Sequence, residues 1–210
     1  MKKVKVILFD IDGVLIRLSN YFSGELERKG YENAQEILTS FFEGSDNWEC
    51  LEGKANSKEK IVPYLERIDW KGTGKDYFKK QFQFEKKYLD QNLISQIKKF
   101  RDQGIKCYLC TDQIKIRAEF LLNEMNFKNS FDGYFISCYI GYRKRHDEFW
   151  NYVMDKMEKE IKDVKPEEIV FFDDRQNNID VAIKFGINAI LFTDVVQFEK
   201  DVKLLEITNR

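Results

Sequence analysis

The sequence predicts an α/β protein: a parallel sheet with helices on both faces, and an α-helical insertion after the first strand. Three observations carry this. From residue 90 onward, short apolar runs alternate with segments whose apolar positions recur at helical spacing. An apolar run near the N-terminus starts the same series, and residues 17 to 89 then interrupt it with helical patterns alone. Three of the apolar runs end in acid-bearing stretches, FDID, TD and FFDD, and open α/β sheets bind ligands beyond the carboxyl ends of their strands.

Taken in order, KVKVILF at 3–9 reads as the first strand, and Gly13 lets the chain turn sharply after Asp10 and Asp12. YFSGELERKG, NAQEILTSFFEG, SKEKIVPYLERI and GKDYFKKQFQFEKKYL are amphipathic helices. DWKGTGKD lacks the GxxxxGK[ST] spacing of a phosphate loop and follows no strand, so it reads as a turn. DQNLISQIKKFRDQG is a helix stopped at Gly104, IKCYLCTD a strand, QIKIRAEFLLNEMNF a helix, FDGYFISCYIG a strand, and HDEFWNYVMDKMEKEIKD a helix. Pro166 sets a turn before the strand Ile169 to Phe172, NNIDVAIKFG is a helix ended by Gly186, INAILFTD is the fifth strand, and VVQFEKDVKLLEI is the closing helix. The expected organisation is a core of residues 1–16 and 90–210, with a helical cap of residues 17–89 placed over the carboxyl edge of the sheet.

At 210 residues, the chain is long enough for one domain with a sizeable insertion. With 43% hydrophobic and 34% charged residues it has the composition of a globular protein. A net charge of −1 gives no electrostatic reason to expect nucleic acid as a partner. No segment approaches the roughly 18 apolar residues of a membrane span, and Asp10 interrupts the N-terminal run too early for a signal-peptide core, so the expected location is cytoplasmic. Cys107 and Cys110 have the CxxC spacing but lie in a strand, where they point to opposite faces. With one histidine in the chain, the four cysteines read as buried free thiols.

Asp10 and Asp12 stand one residue apart at a strand end, and two carboxylates forced together attract a divalent cation or share a proton. Asp173 and Asp174 close the most apolar run of the chain, where they supply hard oxygen ligands suited to Mg2+.

Four stretches in order resemble the motifs of the haloacid dehalogenase (HAD) superfamily in its phosphatase-type branch: FDIDGVL, CYLCTD, GYRKRHDEFW and VFFDDRQNNIDVA. The resemblance implies a Rossmann-like core, and the insertion sits where that superfamily places its first type of cap. It further implies Asp10 as nucleophile forming an aspartyl-phosphate, and Asp12 as general acid/base with its backbone carbonyl on the metal. Thr111, Asp112 and Lys144 are implied as the phosphate-binding group, Asp10, Asp12, Asp173 and Asp174 as the Mg2+ set, and Asn178 as a supporting residue. Two departures stand out: Arg145 and His146 replace the usual Pro-Asp, and Asp112 stands where Asn is frequent.

Because Asp12 is present, the resemblance implies a Mg2+-dependent phosphatase of small phosphorylated metabolites, sugar phosphates foremost, acting as a monomer or homodimer. The alternatives are a sugar phosphomutase of the β-phosphoglucomutase type and a non-catalytic binding or regulatory member. In the cap, DNWECLEGKANSKEK resembles a loop-bearing part, which makes Trp48, Glu52 and Lys54 candidates to face the substrate. The competing expectation puts Trp48 in the cap core and Lys54 in solvent.

Overall fold

The computed structural model describes residues 4–205, so Lys3 of the first predicted strand and Glu206 and Ile207 of the closing helix lie outside the described residues. Five strands, β1 (Val6–Phe9), β2 (Lys106–Thr111), β3 (Gly133–Ile136), β4 (Ile169–Asp173) and β5 (Asn188–Leu191), form one parallel sheet in the order β3-β2-β1-β4-β5. The chain steps from β1 outward through β2 and β3, then returns to the other side of β1 for β4 and β5. The order therefore reverses between β1 and β4, the place where a crevice opens beyond the strand ends.

Burial on both faces explains why the central strands read as unbroken apolar runs. Ile7, Phe9, Leu109, Val170 and Phe172 pack into one core, while Val6, Leu8, Cys110, Ile169 and Phe171 pack into the other. Cys107 joins the first core and Cys110 the second, so the CxxC thiols do face apart; all four cysteines are free, and Cys138 is only partly buried.

Between β1 and the rest of the sheet lie six helices: α1 (Phe22–Arg28), α2 (Ala34–Phe42), α3 (Ser45–Leu51), α4 (Ser57–Lys60), α5 (Val62–Arg67) and α6 (Gly74–Lys86). The stretch read as loop-bearing runs through α3, which buries Asn47 and Cys50, then turns over residues 52–56 and enters α4. DWKGTGKD ends in a capping box that starts α6: Thr73 Oγ1 accepts from the Asp76 N–H at 3.1 Å, and the Thr73 N–H donates to Asp76 Oδ2 at 3.0 Å. The chain enters and leaves this insertion side by side. Ile16 bridges Leu89, the Asp90 N–H donates to the Leu15 carbonyl at 2.9 Å, and Arg17 pairs with Asp90 at 2.5 Å.

The core continues with α7 (Gln91–Asp102), α8 (Lys115–Glu119), α9 (Phe127–Ser130), α10 (Ser137–Ile140), α11 (Asp147–Glu160), α12 (Gln176–Lys184) and α13 (Val195–Leu204). Two elements differ from the sequence pattern. The predicted helix 113–127 breaks into α8, a π-helical stretch Phe120–Glu124 and, after Asn126 at φ 60°, α9. The predicted strand FDGYFISCYIG stops at Ile136, because its neighbour β2 ends at the paired Thr111 and leaves no ladder to extend; Ser137–Ile140 coil into α10 instead. Among the described residues, no helix is long and apolar enough to cross a membrane.

Candidate active site

The reversal point of the sheet brings the acids together. Asp10 follows β1 directly, Asp173 closes the adjacent β4, and Asp174 comes next; each offers a carboxylate oxygen within 4.8 Å of the others. Asp10 is 5% exposed and Asp173 fully buried, while Asp174 is exposed. Gly13 makes the close approach possible: at φ +79° it turns the chain across Asp174, and a Cβ there would lie 2.1 Å from Asp174 Oδ2.

Lys144 enters this cluster from the loop before α11 and is 2% exposed. Its Nζ lies 2.8 Å from Asp10 Oδ1 and 2.6 Å from Asp173 Oδ2. The backbone is pinned on both sides, which selects this lysine from the basic run: its N–H donates to Asp112 Oδ1 at 2.9 Å, and its carbonyl accepts from Trp150 Nε1 at 2.7 Å. Asn178, on the first turns of α12, donates to both oxygens of Asp173 at 3.0 Å, and the Arg175 N–H donates to Oδ1 at 2.8 Å.

Charge is unbalanced here. Burial would push the Lys144 ammonium down, but Asp10 and Asp173 outweigh it and hold it well above its ordinary value. Burial pushes Asp10 well up, and Asp173 and Asp12 add to that against the opposing Lys144. Asp174 is also raised, by burial and then by Asp173. Three hard-oxygen donors with one ammonium between them suit a small divalent cation such as Mg2+. Asp10, Asp173 and Asp174 are the residues that would hold it.

The Asp12 carboxylate stands outside this cluster, and the part expected of Asp12 toward the metal is that of its backbone carbonyl. Arg117 on α8 takes it bidentately, NH2 to Oδ1 at 2.7 Å and NH1 to Oδ2 at 2.8 Å, and Gln113 Nε2 donates to Oδ2 at 2.8 Å. Burial acts to raise the Asp12 pKa, but the guanidinium prevails and holds it below the usual carboxylate range. Gln113 also donates to Thr111 Oγ1 at 3.0 Å, so Thr111 and Asp12 are joined through one amide.

The Asp112 carboxylate accepts from the Lys144 N–H and lies 3.5 Å from Arg143 Nε, so that side chain supports the lysine. His146 is the residue before α11 and lies 3.8 Å from Glu52. Trp48 is not cap core: it is 40% exposed and lies over Arg143 and Arg145 at 5.7 and 5.4 Å. Glu52 pairs with the exposed Lys54 at 2.6 Å. Trp48 and Glu52 thus meet the loop that carries Lys144.

Sequence reasoning missed Gln113, Arg117 and Glu85, the last placed on α6 with Oε2 at 3.1 Å from Arg117 NH2. A charged residue amid IRAEFLL was the available signal for Arg117.

The family model for haloacid dehalogenase-like hydrolases matches residues 4–186. The chain belongs to this family. A HAD-like family hydrolase from Porphyromonas gingivalis has the same fold, with a TM-score of 0.74 at 17% identity over 98% of each chain. A HAD family enzyme from Bacteroides thetaiotaomicron, solved with magnesium and inorganic phosphate, aligns over 93% of this chain and 98% of its own, with a TM-score of 0.71 at 18% identity. The sesquiterpene phosphatase astK of Aspergillus oryzae is 29% identical over 106 residues, which are 50% of this chain and 51% of that protein. This HAD-like chain therefore spans about half the length of the curated relative it matches.

Proposed function

We propose that the chain is a Mg2+-dependent phosphatase of small phosphorylated metabolites. One observation carries the reading: a buried nucleophile candidate, Asp10, shares Lys144 and a cation-suited cluster with Asp173 and Asp174, while a second acid, Asp12, is kept apart from that cluster. The phosphatase among its relatives and the phosphate-bound HAD neighbour support it.

Asp10 is held for in-line attack by the Ile11 N–H at 2.8 Å and by Lys144. A bond forms from its carboxylate to phosphorus as the bond to the leaving oxygen breaks, and Asp12 carries a proton to that oxygen. Water then attacks the aspartyl-phosphate with Asp12 as base, the acyl–phosphate bond breaks, and inorganic phosphate leaves. The pairing with Arg117 favours ionised Asp12, the form this second half needs, and the proton Asp12 takes from water here is the one it delivers to the leaving oxygen in the next turnover. In this reading Lys144 and Thr111 hold the phosphoryl oxygens. Bound Mg2+ supplies positive charge that offsets repulsion between the carboxylate and the phosphate.

Sugar phosphates are the preferred class, because the cap meets the core there through polar and cationic groups, Trp48 between Arg143 and Arg145 with Glu52 beside His146. The name of the Aspergillus relative makes isoprenoid phosphates the second class. The test measures phosphate released from a panel of both classes with Mg2+, in wild type and Asp10→Asn. Release that needs Mg2+ and Asp10 supports the reading. Interconversion of hexose phosphates without net release would replace it with a phosphomutase, and no turnover on any ester would remove it.

A further inference from the structure

A buried charged chain outside the cation cluster joins Asp12 to the cap. Arg117 NH2 is shared between Asp12 Oδ1 at 2.7 Å and Glu85 Oε2 at 3.1 Å, and Gln81 Nε2 donates to Glu85 Oε1 at 2.7 Å. The Arg117 and Glu85 side chains are 12% and 5% exposed, and the guanidinium lies 5.8 Å above the Phe82 ring, which packs on Phe120 of the core. Three distant stretches therefore meet here: the turn after β1, helix α8, and the last helix of the cap.

Stability alone does not call for this arrangement. Apolar side chains of similar volume are often as stable as a buried ion pair, or more so. What a planar guanidinium adds is direction, because its fork fixes the plane of the carboxylate it grips. Glu85 Oε2 makes no hydrogen bond and faces Arg117 as an ion pair, so the hold of α6 on the fork is electrostatic. Glu85 lies about one helical turn before the crossing at Leu89 and Asp90, where the insertion rejoins the sheet.

We propose that Arg117 is a positioning residue that ties the Asp12 carboxylate to the cap through Glu85, so that Asp12 is correctly aimed only while α6 is seated. This rests on the phosphatase reading for its catalytic consequence, but the physical coupling between Asp12 and α6 does not.

The test uses the full chain in two arms. In the first, Glu85→Gln, Arg117→Lys and the double variant are assayed on p-nitrophenyl phosphate with saturating Mg2+. Misaiming a group by about 1 Å can cost up to roughly 100-fold, so each single variant is expected to lower kcat about 10- to 100-fold with KM within about twofold. The double variant should be no slower than Arg117→Lys, since both act through one link. In the second arm, amide hydrogen exchange along α6 is compared between wild type and Asp12→Asn, and faster exchange in the variant is expected. Should Glu85→Gln fail to fold, Gln81→Ala removes the support of Glu85 and should lower kcat in the same way, by less. Wild-type kcat in the folded variants, additive losses, or unchanged α6 exchange each overturn the proposal. If wild type hydrolyses no phosphate ester, the phosphatase reading falls, and the exchange arm alone decides the coupling.

Discussion

Replacing Gly13 by alanine should damage cation binding far more than folding. The added Cβ would lie 2.1 Å from Asp174 Oδ2, 2.3 Å from its Cγ and 2.8 Å from its Cβ. Turning the first torsion of Asp174 takes Oδ2 and Cγ out of the way, and the remaining 2.8 Å contact with its Cβ is relieved only by a shift of the backbone. Asp174 is exposed, so it can swing into solvent at little cost, but the swing removes one of three carboxylates from the cluster. The folding cost is then the left-handed backbone at φ +79°, about 1–2 kcal/mol for a residue with a Cβ, plus the shift that the contact with Asp174 Cβ demands. Disturbing the support of a metal ligand typically costs 10- to 100-fold in affinity, and displacing a ligand should cost about 100-fold. Titration calorimetry with Mg2+ or Mn2+ gives the affinity, and thermal melting in EDTA gives the folding cost. Adding Gly13→Ala to Asp174→Ala should weaken binding no further. Wild-type affinity in a folded Gly13→Ala protein would refute the reasoning, as would two additive losses.

Lys144→Met leaves two buried carboxylates facing each other, so the metal-free protein should lose about 3–5 kcal/mol; calorimetric melting should show the loss shrinking in MgCl2, and an equal loss with and without Mg2+ would sink the shared-cluster account. Asp132 accepts from Arg101 Nε and Lys106 Nζ at 3.1 Å and from the Cys107 N–H at 2.9 Å, tying the start of β3 to β2. Burial would raise its pKa, but those donors lower it, so its contribution is present above the unfolded value near 4 and lost as pH falls through the folded one. Asp132→Asn should cost about 1 kcal/mol at pH 7 and narrow the gap to wild type below about pH 4, read by urea unfolding at both pH values.

The sheet was legible because its central strands are buried twice over. Val6 to Phe9 and Ile169 to Phe172 send alternate side chains into two cores, and only an unbroken apolar run serves both. Edge positions were less so. Ser137–Ile140 carries the residues of a strand, yet its neighbour ends at Thr111, and a missing partner is not written in the stretch itself. The cap helix α3 was hidden for a related reason: its buried face is Asn47 and Cys50, too polar and too short to register as a period.

Within the candidate site, a residue was legible when its position along one strand or one loop determined its neighbours. Asp10 and Asp173 end paired strands, β1 and β4, so their meeting follows from sheet order. Lys144 is chosen from RKR by bonds at its own backbone. Arg117 and Glu85 obey no such rule. Each sits on a helix where a charge ordinarily marks the solvated face, and they are neighbours only because α6 of the insertion packs against α8. The same distance in sequence that hid them gives them their proposed use: a contact made solely when cap and core are together can report that closure to Asp12, as a contact within either part could not.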